Sequence, residues 1–314
     1  MGEARRATAK AAAKLGLNDT QAGELAILAT EASRNVLIHG GGGHVILAGM
    51  VGPSGPLARV LALDKGGGIR NLAEAMKDGF STAGTMGAGL GAMKRLATRF
   101  EVFTGSGGTV LLLELGNCPP ANPLQYAGMA LPYPGERVCG DAWCCVQTED
   151  RTVAMIADGL GHGLGAADAA AEAVEVFRSR NSLGPANILS HIHDALRKTR
   201  GAVAAVVEIF PLQRKVTYAG IGNVCASLTS GGDMRSLVSH NGTLGMAVHR
   251  FQEFQAEWNP DSVLVMHSDG LQTKWDLLSY AGLTSRHPAI LCATLIRDFR
   301  RHRDDASVVV VKAA

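Results

Sequence analysis

Two aspartates face each other across a hairpin that can be read directly from the chain. In GDAWCCVQTEDRTVAMIADG, an apolar strand, a Glu149-Asp150 turn and a second apolar strand follow one another. A two-residue turn sets Thr148 opposite Arg151 and therefore Asp141 opposite Asp158. Opposed side chains in an antiparallel pair lie about 4.5–5.5 Å apart at Cβ. Two carboxylates at that separation repel unless a cation lies between them. Glu-Asp is not a favoured primed turn, so the sequence leaves the register open by one or two residues. SVLVMHSDG carries Asp269 to the C-terminal end of another strand, and Asp304-Asp305 open the strand ASVVVVK. Strand ends and neighbouring strand starts share a rim in antiparallel sheets, so Asp141, Asp158, Asp269 and Asp304 are expected to gather there. An oxygen-only, water-rich cluster suits Mg²⁺ or Mn²⁺ and not zinc. Two such ions about 4 Å apart would activate a bridging water for in-line attack on a phosphate. Asp305 is expected to cap or to face solvent. His162, in DGLGHG, is a candidate general acid or a structural part of its turn. Arg137, shortly before Asp141, reads as a solvated side chain or a contact for substrate phosphate.

A second constellation lies in the first third of the chain. Glu31 and Asn35 are four apart on a helix and share a face, opposite an apolar stripe of Leu25, Leu28, Ala29, Ala32 and Val36. A carboxylate beside an amide can hold Mg²⁺ through oxygen and position a water or hydroxyl. Asp64 ends a strand ahead of Gly66, Gly67 and Gly68, where a carboxylate can accept from an exocyclic amine such as adenine N6. Gly87, Gly89 and Gly91 then lead into a helix, and backbone N–H groups in such a loop cradle phosphate. The loop does not follow a strand in a βαβ unit and GxxxxGK[ST] is absent, which excludes the dinucleotide and P-loop readings.

The elements that must position these residues divide the chain in two. Its 314 residues suggest about two domains. Residues 1–117 hold 22 of the 39 glycines, and five of the 11 prolines fall between Pro119 and Pro134. The expected domains are therefore 1–117 and 135–314, joined by a stiff Pro-rich linker over 118–134. The N-terminal part reads as helices at 3–16, 20–39, 70–78 and 90–98, with strands at 44–49, 58–63, 100–104 and 109–115. The C-terminal part reads as strands at 142–148, 152–157, 202–210, 214–220, 223–228, 262–268 and 306–312, with helices at 164–180, 185–199 and 287–302. A net charge of +2 argues for neither a nucleic-acid nor an anionic-membrane partner. Six cysteines without a CxxC pair read as reduced thiols in a cytoplasmic protein. No apolar run reaches the length of a membrane span, and the N-terminus lacks the apolar stretch of a signal peptide. His191 and His193 point to different sides of their helix, and the segment from His39 to His44 reads as a helix stop; neither is a ligand pair.

In combination the motifs carry two resemblances. ExxxN, DxGxG, GxGLG before a helix, and SGGT (Ser106–Thr109) before a last strand, in that order over about 15–116, resemble the GHKL ATP-binding fold. DKGGGIRNLAEAMKDGFSTAGTMGAGLGAMKRL is more specifically similar to the small anti-sigma-factor and RsbT-type serine kinases. That resemblance implies Asn35 as Mg²⁺ ligand, Glu31 as general base toward a protein serine, and Asp64 as reader of adenine. It also implies Gly66, Gly68, Gly87, Gly89, Gly91 and Thr109 as nucleotide lining. The family has a strand before its first helix, whereas this chain starts almost at the helix. Either the sheet is one strand short or the start is truncated.

GDAW, IADGLGHG, SDG and RDDAS, over about 135–314, resemble the metal-dependent, phosphatase 2C-like serine/threonine phosphatases of the SpoIIE and RsbX type. This implies that Asp158 bridges two Mn²⁺ or Mg²⁺ ions with the Gly159 carbonyl as a further ligand. Asp269 and Asp304 would complete one ion and Asp141 would support the other. The expected fold is α+β. A GHKL sandwich, one mixed sheet with helices on one face, precedes a four-layer αββα sandwich. The resemblances imply a partner-switching regulator acting on a STAS-domain phosphoprotein, in a circuit that frees a sigma factor or another output. The N-terminal domain would bind ATP and phosphorylate a serine, and the C-terminal domain would remove phosphate. The helix Gly165–Arg180 would act as a switch. The alternative is a phosphatase whose N-terminal domain only senses nucleotide or docks a partner. A homodimer remains open.

Overall fold

A computed structural model describes residues 2–52, 55–77, 89–117 and 122–314. The chain forms two compact units, divided between Ala121 and Asn122. Gly87 lies outside the described residues, as does most of the glycine loop around it.

The N-terminal unit contains α1 (Gly2–Leu15), α2 (Asp19–Ile38), β1 (Gly43–Gly52), β2 (Gly55–Asp64), α3 (Leu72–Ala75), α4 (Leu90–Leu96), β3 (Arg99–Gly105) and β4 (Gly108–Gly116). Asn18 starts α2 with a capping box: its side chain accepts from Gln21 N–H while the Gln21 side chain accepts from the Asn18 N–H. Leu25, Leu28, Ala29, Ala32 and Val36, all buried, pin α2 to the sheet. The strands run in the order β1-β2-β4-β3, and every pairing is antiparallel. The expected mixed sheet is thus corrected: the short connections from β1 to β2 and from β3 to β4 allow only antiparallel pairing, and the central pair β2 and β4 is antiparallel as well. The helix expected over 70–78 is only the single turn of α3, capped by Asn71, whose side chain accepts from Glu74 N–H.

The C-terminal unit opens with a strand inside the segment read as linker. β5 (Leu124–Leu131) pairs along its whole length with the last strand, so the domain begins well before residue 135. Its alternating burial is the signature of a strand; the prolines on either side made it look like a stiff connector. Gly128 leaves space for Trp143, whose indole would lie 2.3 Å from a Cβ there. β6 (Asp141–Gln147), β7 (Thr152–Gly159), α5 (Leu164–Arg180), α6 (Pro185–Ala195), β8 (Ala202–Phe210), β9 (Lys215–Ile221), β10 (Cys225–Ser230) and β11 (Asp233–Leu237) follow. β12 (Gly242–Thr243), β13 (Ala247–Val248), β14 (Phe254–Glu257), β15 (Val263–His267), α7 (Pro288–Phe299) and β16 (Ala306–Ala313) complete it. Pro185 and Pro288 occupy the first helical turns, where their missing N–H costs nothing. β11 and β14 escaped the sequence reading because they are short, largely polar edge strands.

Two five-stranded antiparallel sheets, β14-β9-β8-β7-β6 and β11-β10-β15-β16-β5, stack through one apolar layer that includes Ile156, Val207, Tyr218, Leu264 and Val309. α5 and α6 cover the outer face of the first sheet, and α7 packs on the second through β5 and β16. This is the expected αββα sandwich. α7 ends three residues before the predicted stop, and the residues it releases form the turn that presents Asp304. Arg301 N–H closes that turn onto Gly270 O at 2.7 Å.

α5 lies unusually close to the strand ends. A Cβ on Gly159 would sit 2.2 Å from Ala166 O, and the helix meets the sheet there through Ala166, Ala169, Ala170 and Ala173. Overpacking such a contact costs about 1–3 kcal/mol. Gly159→Ala should therefore lower the stability of the C-terminal unit by about that amount. Urea unfolding followed by tryptophan fluorescence checks this, because Trp143, Trp258 and Trp275 all lie in that unit.

Candidate functional site

The hairpin register is settled by the structure: Asp141 pairs with Asp158, and Thr148 N–H closes the two-residue turn on Arg151 O at 2.8 Å. Gly159 N–H then donates to Gly140 O at 3.0 Å, so each aspartate has a glycine beside it under the start of α5. Asp269 follows β15 and Asp304 precedes β16, and these strands are neighbours. The four carboxylates share one rim, and they act on one another. Burial, followed by the charges of Asp141, Asp269, Asp304 and Asp305, holds the Asp158 carboxyl well above the usual carboxylate range. Burial also raises Asp141, against hydrogen bonds from Ser268 and Ser307 that favour its charged form. Asp304 is raised by burial as well.

No arginine or lysine among the described residues neutralises Asp141, Asp158, Asp269 or Asp304. Nor do any three Asp, Glu, His or Cys side chains among the described residues close on one point as a ready-made cage. The rim is an open basin of uncompensated carboxylate oxygen. A hard divalent ion that keeps several of its own waters fits such a donor set.

Several residues that build the basin had little or no sequence signal. Ser307 Oγ donates to Asp141 Oδ2 at 2.8 Å, and Ser268 Oγ accepts from Ser307 N–H at 3.0 Å. Both serines sit inside SDG and DDAS, so their motifs contained them, but not their role. Asn223 Nδ2 donates to Asp269 Oδ2 at 2.7 Å from a loop remote in sequence. Asp305 corrects the solvent-facing expectation. It is 2% exposed and accepts from Tyr133 N–H at 2.7 Å and Gly140 N–H at 2.9 Å. The register of β16 against β5 turns Asp305 inward, toward the chain entering β6. Arg137 is exposed, as its solvated reading had it. His162 stands beside the rim; its charge bears on Asp304. His193 Nδ1 accepts from Gly245 N–H at 3.2 Å, a structural contact.

In the N-terminal unit a cavity of about 400 Å³ lies beside α2 and β2. Glu31, Asn35, Asp64, Gly68, Gly89 and Thr109 line it, with Ala62, Ile69, Leu90 and Leu111 supplying apolar walls. The volume is in the range of small-molecule sites. Asp64 Oδ1 accepts from Gly66 N–H at 2.9 Å and Thr109 N–H at 3.2 Å, which orients the carboxylate at the strand end. Gly68 has φ +70°, and a Cβ there would meet Gly105 O at 2.1 Å, so only glycine serves. Two expected lining residues stand elsewhere: Gly66 supports Asp64 from behind, and Gly91 is buried within α4. α4 begins one residue past Gly89, which turns Gly91 into the helix and away from the cavity.

With this geometry in view, comparison with known proteins identifies the chain. Residues 148–314 match the family model of stage II sporulation protein E. The chain belongs to the SpoIIE family. Residues 1–115 of this SpoIIE-family chain match the histidine kinase-like ATPase domain. It is 28% identical over 138 residues to the phosphoserine phosphatase RsbX of Bacillus subtilis, covering 44% of this chain and 69% of that protein. It is 30% identical over 99 residues to the serine/threonine-protein kinase RsbT of the same organism, covering 32% of this chain and 74% of RsbT. Among solved structures, RsbX in complex with magnesium superposes with a TM-score of 0.56 at 22% identity, over 69% of this chain and all (100%) of RsbX, and shows the fold. A chain from the bacterial stressosome, described as a modular system adapted to control secondary messenger signalling, gives 0.57 at 28% identity. That match spans 60% of this chain and 99% of the other. The SpoIIE-family chain is thus a phosphatase 2C-like enzyme that also carries a kinase-type ATPase domain. Among the described residues no helix is long and apolar enough to cross a membrane.

The raised carboxyls set the pH dependence of the metal-free protein. Asp158 keeps its proton when folded and loses it when unfolded, so its stabilising contribution is complete below about pH 4 and disappears as pH rises through about 9. In EDTA the melting temperature of the C-terminal unit should fall across that window. Asp158→Asn should flatten the fall and melt higher than wild type at pH 8. Added Mn²⁺ should raise the wild type and leave the variant unmoved. A variant that melts lower than wild type in EDTA would contradict this account of the rim.

Proposed function

We propose that the C-terminal unit hydrolyses phosphoserine or phosphothreonine on a small STAS-type protein, and that the N-terminal unit binds ATP and phosphorylates a protein serine. The observation that carries the first part is the register pairing of Asp141 with Asp158 on a rim shared with Asp269 and Asp304. Asp158 and the Gly159 carbonyl would hold a pair of Mg²⁺ or Mn²⁺ ions, with Asp269 and Asp304 on one and Asp141 supporting the other. When bound, such a pair supplies an acidified water and charge neutralisation at phosphate. The chain's own residues do the remaining work. Ser307 holds Asp141, Asn223 holds Asp269, and buried Asp305 fixes the entry to β6 so that the rim keeps its shape.

In the N-terminal cavity Asp64 would accept from an exocyclic amine such as adenine N6. Glu31 stands one helical turn from Asn35 on the same wall, as a base for a hydroxyl approaching a nucleotide phosphate whose Mg²⁺ Asn35 would ligate. The likeness to RsbX and RsbT supports opposed phosphatase and kinase steps within a cytoplasmic partner-switching circuit.

One assay tests both parts. The full chain is incubated with ATP, Mg²⁺ or Mn²⁺ and a STAS-domain protein, and phosphoserine is followed over time. Asp158→Asn should let phosphoserine accumulate by blocking its removal. Glu31→Ala should slow its formation by about 10²–10⁴-fold while nucleotide binding persists. Unchanged phosphoserine formation in Glu31→Ala would leave the N-terminal unit a sensor or docking domain, and dephosphorylation undiminished in Asp158→Asn would remove the basin from the reaction.

A further inference from the structure

The ring of His162 is held more firmly than its exposure explains. It stands on the turn between β7 and α5, with 52% of its side chain exposed. Its Nδ1 lies 3.0 Å from Glu136 Oε1, and Tyr133 stacks on the ring with centroids 4.7 Å apart and planes 13° from parallel. Both partners belong to the short segment between β5 and β6. That segment is itself anchored: Glu136 N–H donates to Tyr133 O at 2.9 Å, and Tyr133 N–H donates to Asp305 Oδ1 at 2.7 Å. Asp305 is covalently next to Asp304, so the imidazole is referenced, through a chain of hydrogen bonds, to the carboxylate rim. An ion pair this exposed contributes about 1 kcal/mol at most to stability. Fold stability therefore gives little reason to clamp the ring from two sides.

We propose that Glu136 and Tyr133 are positioning residues that present His162 Nε2 as a proton donor to the seryl oxygen leaving phosphorus. This deepens the phosphatase reading and rests on it. Glu136 occupies Nδ1, which leaves Nε2 as the ring nitrogen free to meet substrate. In the imidazolium both nitrogens carry protons, and Glu136 then accepts the one on Nδ1 while Nε2 holds the other. In the step itself the oxygen of water forms the new P–O bond, and the bond from phosphorus to the seryl oxygen breaks with its electron pair on that oxygen. The Nε2 proton passes to the same oxygen to give the serine hydroxyl. The neutral imidazole then takes a proton from solvent, to which the attacking water has released one. A seryl alkoxide is a poor leaving group and needs that proton, whereas a nitrophenolate leaves without it. Tyr133 fixes the plane of the ring, and Glu136 its rotation.

The experiment compares a phosphoserine peptide with p-nitrophenyl phosphate on the Mn²⁺-loaded full chain, for wild type, Glu136→Gln, Glu136→Asp and His162→Gln. For Glu136→Gln the loss in kcat on the peptide should exceed the loss on the aryl ester by about tenfold or more, within the range that proton transfer contributes. His162→Gln should show at least as large a difference, and Glu136→Asp should recover part of it. Mn²⁺ affinity by calorimetry should be unaltered in Glu136→Gln, and the ¹⁵N shifts of the His162 ring should move, reporting a freed Nδ1. Equal losses on the two esters, or ring shifts unaltered by Glu136→Gln, would overturn the clamp and leave the phosphatase reading standing. A wild type inactive on both esters would overturn that reading, and the clamp with it.

Discussion

Carboxylates crowded on one rim, with no arginine or lysine among the described residues paired to them, are the constraint on which the C-terminal unit is organised. Asp158 is largely buried, faces Asp141 across a strand pair, and lies in the field of three further carboxylates. A sheet would gain by replacing such residues with apolar ones. Placed at the ends of strands that are otherwise packed hydrocarbon, they form an oxygen donor set that a hard divalent ion fits. The surrounding architecture serves that end. Glycines beside Asp141 and Asp158 admit α5 within van der Waals reach, and serines and an asparagine orient individual oxygens.

The early stop of α7 belongs to the same design. Had the helix run on to residue 302, Asp304 would stand directly behind a helix end. Instead residues 300–303 turn back onto Gly270, and the strand that follows delivers Asp304 to the rim and Asp305 to the interior. Two adjacent aspartates thus acquire opposite tasks. One faces the basin; the other ties together the backbone of the segment that carries Glu136 and Tyr133. The basin and the residues around His162 are parts of one hydrogen-bonded structure.

The N-terminal unit solves a different problem, a cavity with apolar walls and a few convergent polar groups. Asp64 has one oxygen committed to two backbone N–H groups, which preorganises the other for a ligand. α2 carries a buried stripe that pins it to the sheet and, on its other side, Glu31 and Asn35 at the cavity wall. The same helix provides structural and chemical faces because side chains four apart project together.

What the sequence determined by itself was local and periodic. The hairpin that carries Asp141 and Asp158, though not its exact register, the run and start of α5, and the pairing of Glu31 with Asn35 follow from alternation, helical spacing and turn chemistry among neighbours in the chain. The sandwich was implied by the family resemblance of the motifs. Tertiary structure alone decided which distant residues complete those features. β5 hid between prolines because its partner, β16, lies at the other end of the unit. Asp305 could not be told from Asp304 until the register against β5 turned one inward and left the other at the rim. Asn223 reaches the site from one loop, and Glu136 and Tyr133 from another. Short-range preferences are written into adjacent residues, whereas the meeting of residues far apart in the chain depends on how whole sheets pack, and no single stretch of sequence carries that information.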